Sequence, residues 1–211
     1  MSALSVSLCS LVLAFCGLTY QLTIAQSLSV LIGNSVVQYS LTIGLFLVSM
    51  GYGAMRSPTL GDARQYLFRL QIALCGFAPL GLIGVWVLGI HASKLFLYIS
   101  AVILIAGLGW LTGKELPLLL RLAGPGLRLK VLGFDHFGML LACLSFPLVL
   151  LPSVGLLASV FLISALNACA ALLLAQTVRH RLTAGAAASA LLTALLFEPL
   201  LREWLSQRFL A

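Results

Sequence analysis

The thirty residues ALSVSLCSLVLAFCGLTYQLTIAQSLSVLI, Ala3 to Ile32, carry no charged side chain. A helix needs about 20 apolar residues to cross the hydrocarbon core of a bilayer, so this stretch is long enough to span one. It is also far longer than the ~7–15-residue core of a cleaved signal peptide, and nothing basic precedes it. The stretch therefore predicts a first membrane helix that stays with the protein. Further runs follow outward from it. Gly33-Asn34-Ser35 breaks the chain before a second apolar run, 36–55. A basic loop, 56–69, with Pro58, Gly61 and Asp62, leads to a third run, 70–90. After a tight turn at 91–94 comes the fourth, 95–112. The polar region 113–130 has an apolar centre, 116–122, and precedes a fifth run, 131–151, with Asp135 inside it. Pro152-Ser153 turns the chain into the sixth run, 154–178.

Composition agrees with this reading. Of 211 residues, 62% are hydrophobic and 8% charged, and the mean hydropathy is +1.15. Soluble domains are about 25% charged, so a water-soluble globule and a disordered chain are both excluded. The expected fold is all-α, a polytopic membrane bundle of six helices over 1–182 with a further element over 183–211. Two forms compete for that tail. One is a seventh transmembrane helix kinked at Glu198-Pro199. The other is an interfacial amphipathic helix that sets Leu201, Trp204, Leu205 and Phe209 against Arg202, Gln207 and Arg208.

Twelve Lys and Arg against five Asp and Glu give a formal charge of +7. In a soluble protein such an excess suggests nucleic acid. Here the cations sit between apolar runs and read as orientation signals facing an anionic leaflet, so no nucleic-acid partner is expected. A cytoplasmic N-terminus puts Arg56, Arg64, Arg69, Lys114, Arg121, Arg128, Lys130, Arg179 and Arg181 inside and Lys94 outside, which satisfies the positive-inside rule.

Two helices carry polar stripes. At about 100° per residue, Cys16, Thr19, Tyr20, Thr23, Gln26 and Ser27 share one side of the first. Ser35, Gln38, Thr42, Ser49 and Tyr52 align on the second. Interhelical hydrogen bonding and a polar cavity both account for them. Ser164 and Asn167 raise the same choice. Glu115 and Asp135 stand near the cytoplasmic border, and ionisable groups in a membrane are functional candidates by default. They either pair with neighbouring Lys114, Arg121 and Lys130 or face a cavity that holds a cation or relays a proton, with His136 beside them. Tyr20, Gln38, Glu115 and Asp135 form the candidate polar cavity.

Enzyme signatures are missing. There is no persuasive Ser/His/Asp arrangement, no HExxH and no P-loop. Gly81-x-x-Gly84 and Gly107-x-Gly109 lie in apolar helices, where glycine marks close packing. Cys9, Cys16, Cys75, Cys143 and Cys169 sit in apolar runs without metal-ligand spacing. No metal, cofactor or catalytic residue is expected, and the chain is not expected to be an enzyme.

Three tracts resemble a known family. They are Tyr20-Gln21-Leu22 continuing to Leu31-Ile-Gly-Asn34-Ser-Val-Val-Gln38-Tyr-Ser-Leu41 and Gly44-Leu-Phe-Leu47; Gly113-Lys-Glu115-Leu-Pro117-Leu-Leu119; and Val131-Leu-Gly-Phe-Asp135-His-Phe-Gly138 leading to Phe146-Pro-Leu-Val-Leu-Leu-Pro152. Together they resemble the N-terminal transmembrane domain of membrane-bound spermidine synthase-like proteins, the polyamine aminopropyltransferases, over residues 20–176. The resemblance implies a bundle like half of a major-facilitator transporter, in a bacterial cytoplasmic (inner) membrane. In the family a methyltransferase-like catalytic domain normally follows, and this chain ends without one. Gln21 stands where the family often has Glu, and His136 where it often has Tyr. The implied function is a stand-alone membrane module that handles or transports a small cationic metabolite such as a polyamine. The alternative is a non-catalytic subunit that anchors or assembles a larger membrane complex. The expected partners are the lipid bilayer and either another membrane protein, as homo- or hetero-oligomer, or a separate soluble enzyme.

Overall fold

The structure, a computed structural model, describes the backbone of residues 3–91 and 93–210, and the side chains of these except 3, 201, 202 and 204–210. The described residues are helical with short connections and contain no strand. The helices are α1 (Ala3–Ile32), α2 (Ser35–Met55), α3 (Ala63–His91), α4 (Lys94–Thr112), α5 (Glu115–Ala123), α6 (Arg128–Ser145), α7 (Leu151–Leu174) and α8 (Val178–Leu210). Six helical stretches are long and apolar enough to cross a membrane. One of these, Pro125–Leu174, is 50 residues long. It includes a π-helical turn, Phe146–Leu150, and its α-geometry breaks at Gly155 (φ 81°, ψ −177°). Only glycine adopts that conformation without strain, so the break falls at Gly155 and not at the expected Pro152-Ser153 turn, where Pro152 is accommodated in the first turn of α7.

Turn chemistry sets the other breaks. Gly33 (φ 83°) and Asn34 (φ 52°) take left-handed conformations between α1 and α2, and the Asn34 side chain accepts a bond from the Val37 amide at 3.4 Å. Asp62 Oδ1 accepts from the Arg64 and Gln65 amides at 2.9 and 3.4 Å. This cap lets α3 begin at Ala63, seven residues before the apolar run that announces it.

α1 is the central helix, packed along α6, α7 and α2; α2 packs on α4, α3 on α7, and α8 on the outer side of α7. Glycine permits the closest approaches. A Cβ at Gly113 would overlap the Met50 carbonyl oxygen where α4 ends against α2, and one at Gly138 would overlap the Leu11 carbonyl where α6 meets α1. Gly81 and Gly107 lie against Leu104 and Phe77, as helix-packing glycines should, whereas Gly84 faces open space.

Three cation-bearing connections meet at one end of the bundle. Arg121 donates to the carbonyls of Pro58 and Gly61. Arg64 donates to those of Leu173, Leu174 and Ala175, capping the C-terminus of α7. Gln176 donates to Asp62 Oδ2 at 2.8 Å, and His180 stacks on Phe68 with ring centroids 4.3 Å apart.

The tail forms a single helix of 33 residues, α8, with Pro199 inside it. Residues 182 and 183 both lie within this helix, and its stretch Val178–Leu200 is long and apolar enough to span. Thr183–Phe197 is too short to do so by itself; the helix gains the length by continuing back through Arg179 and Arg181. The amphipathic face expected from Leu201, Trp204, Leu205, Phe209, Arg202, Gln207 and Arg208 lies outside the described side chains.

Candidate functional site

Glu115 and Asp135 line one cavity of about 330 Å³, bordered by α1, α2, the end of α4, α5 and α6. Each is 6% exposed. Pro117 sits in the first turn of α5, where its missing N–H costs no helical bond. α5 turns Glu115, Leu118 and Leu119 into the bundle and presents Leu116, Pro117 and Leu120 to the cavity.

The partners of both carboxylates are neutral. Gln71 Nε2 donates to Glu115 Oε1 at 2.8 Å, and Ser10 Oγ lies 3.3 Å from Asp135 Oδ1 while also reaching the Val131 carbonyl at 3.1 Å. Two of the neighbouring cations are engaged elsewhere. Lys114 places its ammonium 3.1 Å from the centroid of the Trp110 ring, a cation–π contact, and Arg121 serves the 56–62 loop. Among the described residues, neither Glu115 nor Asp135 forms an ion pair. Burying an ionised carboxylate is costly unless a cation or a full set of donors offsets it, and here each carboxylate has one neutral side-chain donor. A cation entering the cavity would supply the missing partner.

Tyr20 and Gln38 lie away from this cavity. Tyr20 is buried among α1, α3 and α7, and its hydroxyl donates to Ser164 Oγ at 3.1 Å. Cys75 Sγ reaches the Ser164 carbonyl at 3.3 Å, and Asn167 is buried nearby with neither amide atom bonded. Gln38 stands at the opposite end of the bundle, with its Nε2 3.4 Å from the Tyr98 hydroxyl. His136 is exposed, and its Nδ1 lies 2.8 Å from the Leu132 carbonyl.

The stripe on α1 is largely satisfied within its own helix. Thr19, Thr23 and Ser27 donate to the carbonyls of Phe15, Thr19 and Thr23. Tyr39 bridges α2 to α1 by donating to Gln26 Oε1 at 2.7 Å. Besides the two carboxylates, the polar side chains that line the cavity are Gln21, on α1, and Thr112, at the end of α4. Gln21 was legible as the residue that replaces a glutamate in the resembled tract. Ser10 and Gln71 carried no such signal, because a single serine or glutamine inside an apolar run has no pattern to stand out from.

No family model matches the chain, and no solved structure matches it. Curated relatives do. The chain is 33% identical over 171 residues to the polyamine aminopropyltransferase of Leptospira interrogans, covering 74% of this chain and 32% of the relative. The figures are the same for polyamine aminopropyltransferase 2 of Ralstonia nicotianae. With polyamine aminopropyltransferase 1 of Streptomyces coelicolor, identity is 31% over 188 residues, 85% of this chain and 34% of the relative. These names overturn one expectation. The chain was read as non-enzymatic because no catalytic motif is visible in it, yet the proteins it matches are named as transferases, so that reading does not stand. Motifs were sought within 211 residues, and the chain spans only about a third of the length of those relatives. Over most of its own length, the chain is similar to one stretch of the polyamine aminopropyltransferases.

Proposed function

We propose that this chain is the membrane-embedded part of a polyamine aminopropyltransferase, and that it binds the protonated amine of a polyamine in the Glu115–Asp135 cavity. One observation carries the reading. Two buried carboxylates share a cavity in which their side-chain partners are the neutral Gln71 and Ser10. A polyamine ammonium brings the positive charge and the donors that such a site lacks. The relatives' names supply the metabolite class. In this reading the bundle resembles one half of a major-facilitator-like architecture and sits in a bacterial cytoplasmic membrane with its N-terminus inside. There it works with a second membrane protein, another copy of itself or a soluble enzyme, and the cavity faces the compartment in which the amine is used.

Titration of the purified chain with radiolabelled spermidine tests the proposal. The expected result is saturable binding that Glu115→Gln and Asp135→Asn each weaken by an order of magnitude or more, since a hydrogen bond to a charged group is worth about 1.5–3 kcal/mol. Absence of spermidine binding by a folded wild-type chain would refute it.

A further inference from the structure

The cavity that holds Glu115 and Asp135 has no wall on one side. α1 forms its back and α5 its floor, and α2 and α6 stand on either side. Both of these helices pack along α1 but not along each other, which leaves the flank between them open. Leu47, on the α2 edge of the opening, is 52% exposed although it lines the cavity. One turn later, Gly51 also lines the cavity and is exposed, and the space where a side chain would begin is empty. Met139 forms the α6 edge. The mouth is therefore aliphatic and lies on the side of the bundle, while the carboxylates are recessed behind it. Asp135 is seven residues into α6, about 10 Å from the helix start at 1.5 Å per residue.

We infer that the cavity takes an amphiphilic cation, an amine bearing an aliphatic tail, which enters sideways between α2 and α6 from the hydrocarbon. The ammonium meets Glu115 and Asp135, and the tail lies in the mouth against Leu47, Gly51 and Met139. This rests on the reading that the two carboxylates bind an amine, and adds the class of amine and its route. A short hydrophilic diamine uses the carboxylates but gains nothing from the aliphatic mouth. Relative to the amine in water, each methylene seated there contributes about 0.8 kcal/mol, or about fourfold in affinity at 1.36 kcal/mol per tenfold.

The test is displacement of radiolabelled spermidine from the chain in lipid nanodiscs by spermidine, N-butylspermidine, N-octylspermidine and 1-octanol. Affinity should rise by about fourfold per methylene over the first few carbons, and 1-octanol should fail to compete. Gly51→Trp, whose Cβ meets open space at the mouth, should collapse the ratio of octyl to unsubstituted affinity toward one. Simple partition of the tail into lipid would leave that ratio intact in the variant and would overturn the inference. If spermidine binds but the tails bring no gain, the lateral route falls while the polyamine reading stands. If 1-octanol competes as well as the tailed amine, the mouth is an apolar groove indifferent to charge, and the inference falls. Conversion of a dimer to monomer by Gly51→Trp, with the tail ratio unchanged, would assign the open flank to a second copy and equally overturn it.

Discussion

Replacing Glu115 by Gln should raise or preserve the stability of the ligand-free chain while removing its response to polyamine. The side chain is 6% exposed and Gln71, its partner, is fully buried, so any change is felt without help from water. Gln is nearly isosteric with Glu, and its carbonyl can keep the 2.8 Å bond from Gln71 Nε2. What disappears is an acidic group that no cation of the chain offsets. Wherever that group is ionised, an effective penalty of several kcal/mol attaches to it, and where it is neutral the substitution changes little, so the empty folded state is stabilised or left as it was. With ligand present the sign reverses. The charge-assisted bond to the ammonium is worth about 1.5–3 kcal/mol, roughly 10- to 150-fold in affinity. The assay is thermal unfolding in detergent with and without spermidine. At a hundredfold excess over Kd, wild type should gain about 2.7 kcal/mol, and the variant should gain little at the same concentration. Glu115→Ala serves as the contrast, because it strands the Gln71 amide and should cost about 1–3 kcal/mol. Were Glu115 half of a structural ion pair, Glu115→Gln would instead cost about 3–5 kcal/mol. A loss of that size in the ligand-free variant, with the spermidine response retained, would refute the argument.

Gly138→Ala should cost about 1–3 kcal/mol, because its Cβ would overlap the Leu11 carbonyl; Gly44→Ala, into open space, should be neutral or slightly stabilising in the same unfolding assay. Tyr20→Phe removes the bond to Ser164 and should cost about 1 kcal/mol with spermidine affinity unchanged, since Tyr20 lies outside the cavity. The bond from Gln176, together with the Arg64 and Gln65 amides, holds the Asp62 carboxyl below the usual carboxylate range. Its contribution is therefore present above that range and lost as pH falls through the lowered value; unfolding curves of wild type and Asp62→Asn should differ at neutral pH and converge in strong acid. Cysteines placed at Gly61 and Ser93 in a Cys-free background should react with an impermeant reagent from opposite sides, Ser93→Cys in intact cells and Gly61→Cys only after lysis.

Much of the fold could be read directly from the residues. The uncharged run 3–32 and the Gly33-Asn34 break depend on local chemistry, on which side chains are apolar and which backbones can leave a helix, whereas the turn expected at Pro152-Ser153 falls at Gly155 instead. Helix starts were less visible when a polar cap lay far from the apolar run, as Asp62 does ahead of residue 70. The tail helix runs back through Arg179 and Arg181 as well as through the apolar residues, so its start too lay ahead of the apolar run. Periodicity placed Tyr20 and Gln38 on polar faces, but a polar face states only that a partner is needed. Which partner depends on how helices rotate and cross. The packing of α1 on α7 directs Tyr20 to Ser164, and that of α2 on α4 sends Gln38 to Tyr98 at the far end. The helix crossings also bring Glu115 and Asp135, twenty residues apart on different helices, to one cavity with Gln71 and Ser10 behind them. The composition of each helix determined that six stretches among the described residues are apolar enough to cross a membrane, since transfer free energy is a property of the residue. The pairing of the carboxylates was decided only by tertiary packing, because it depends on distances between helices that no single stretch of sequence contains.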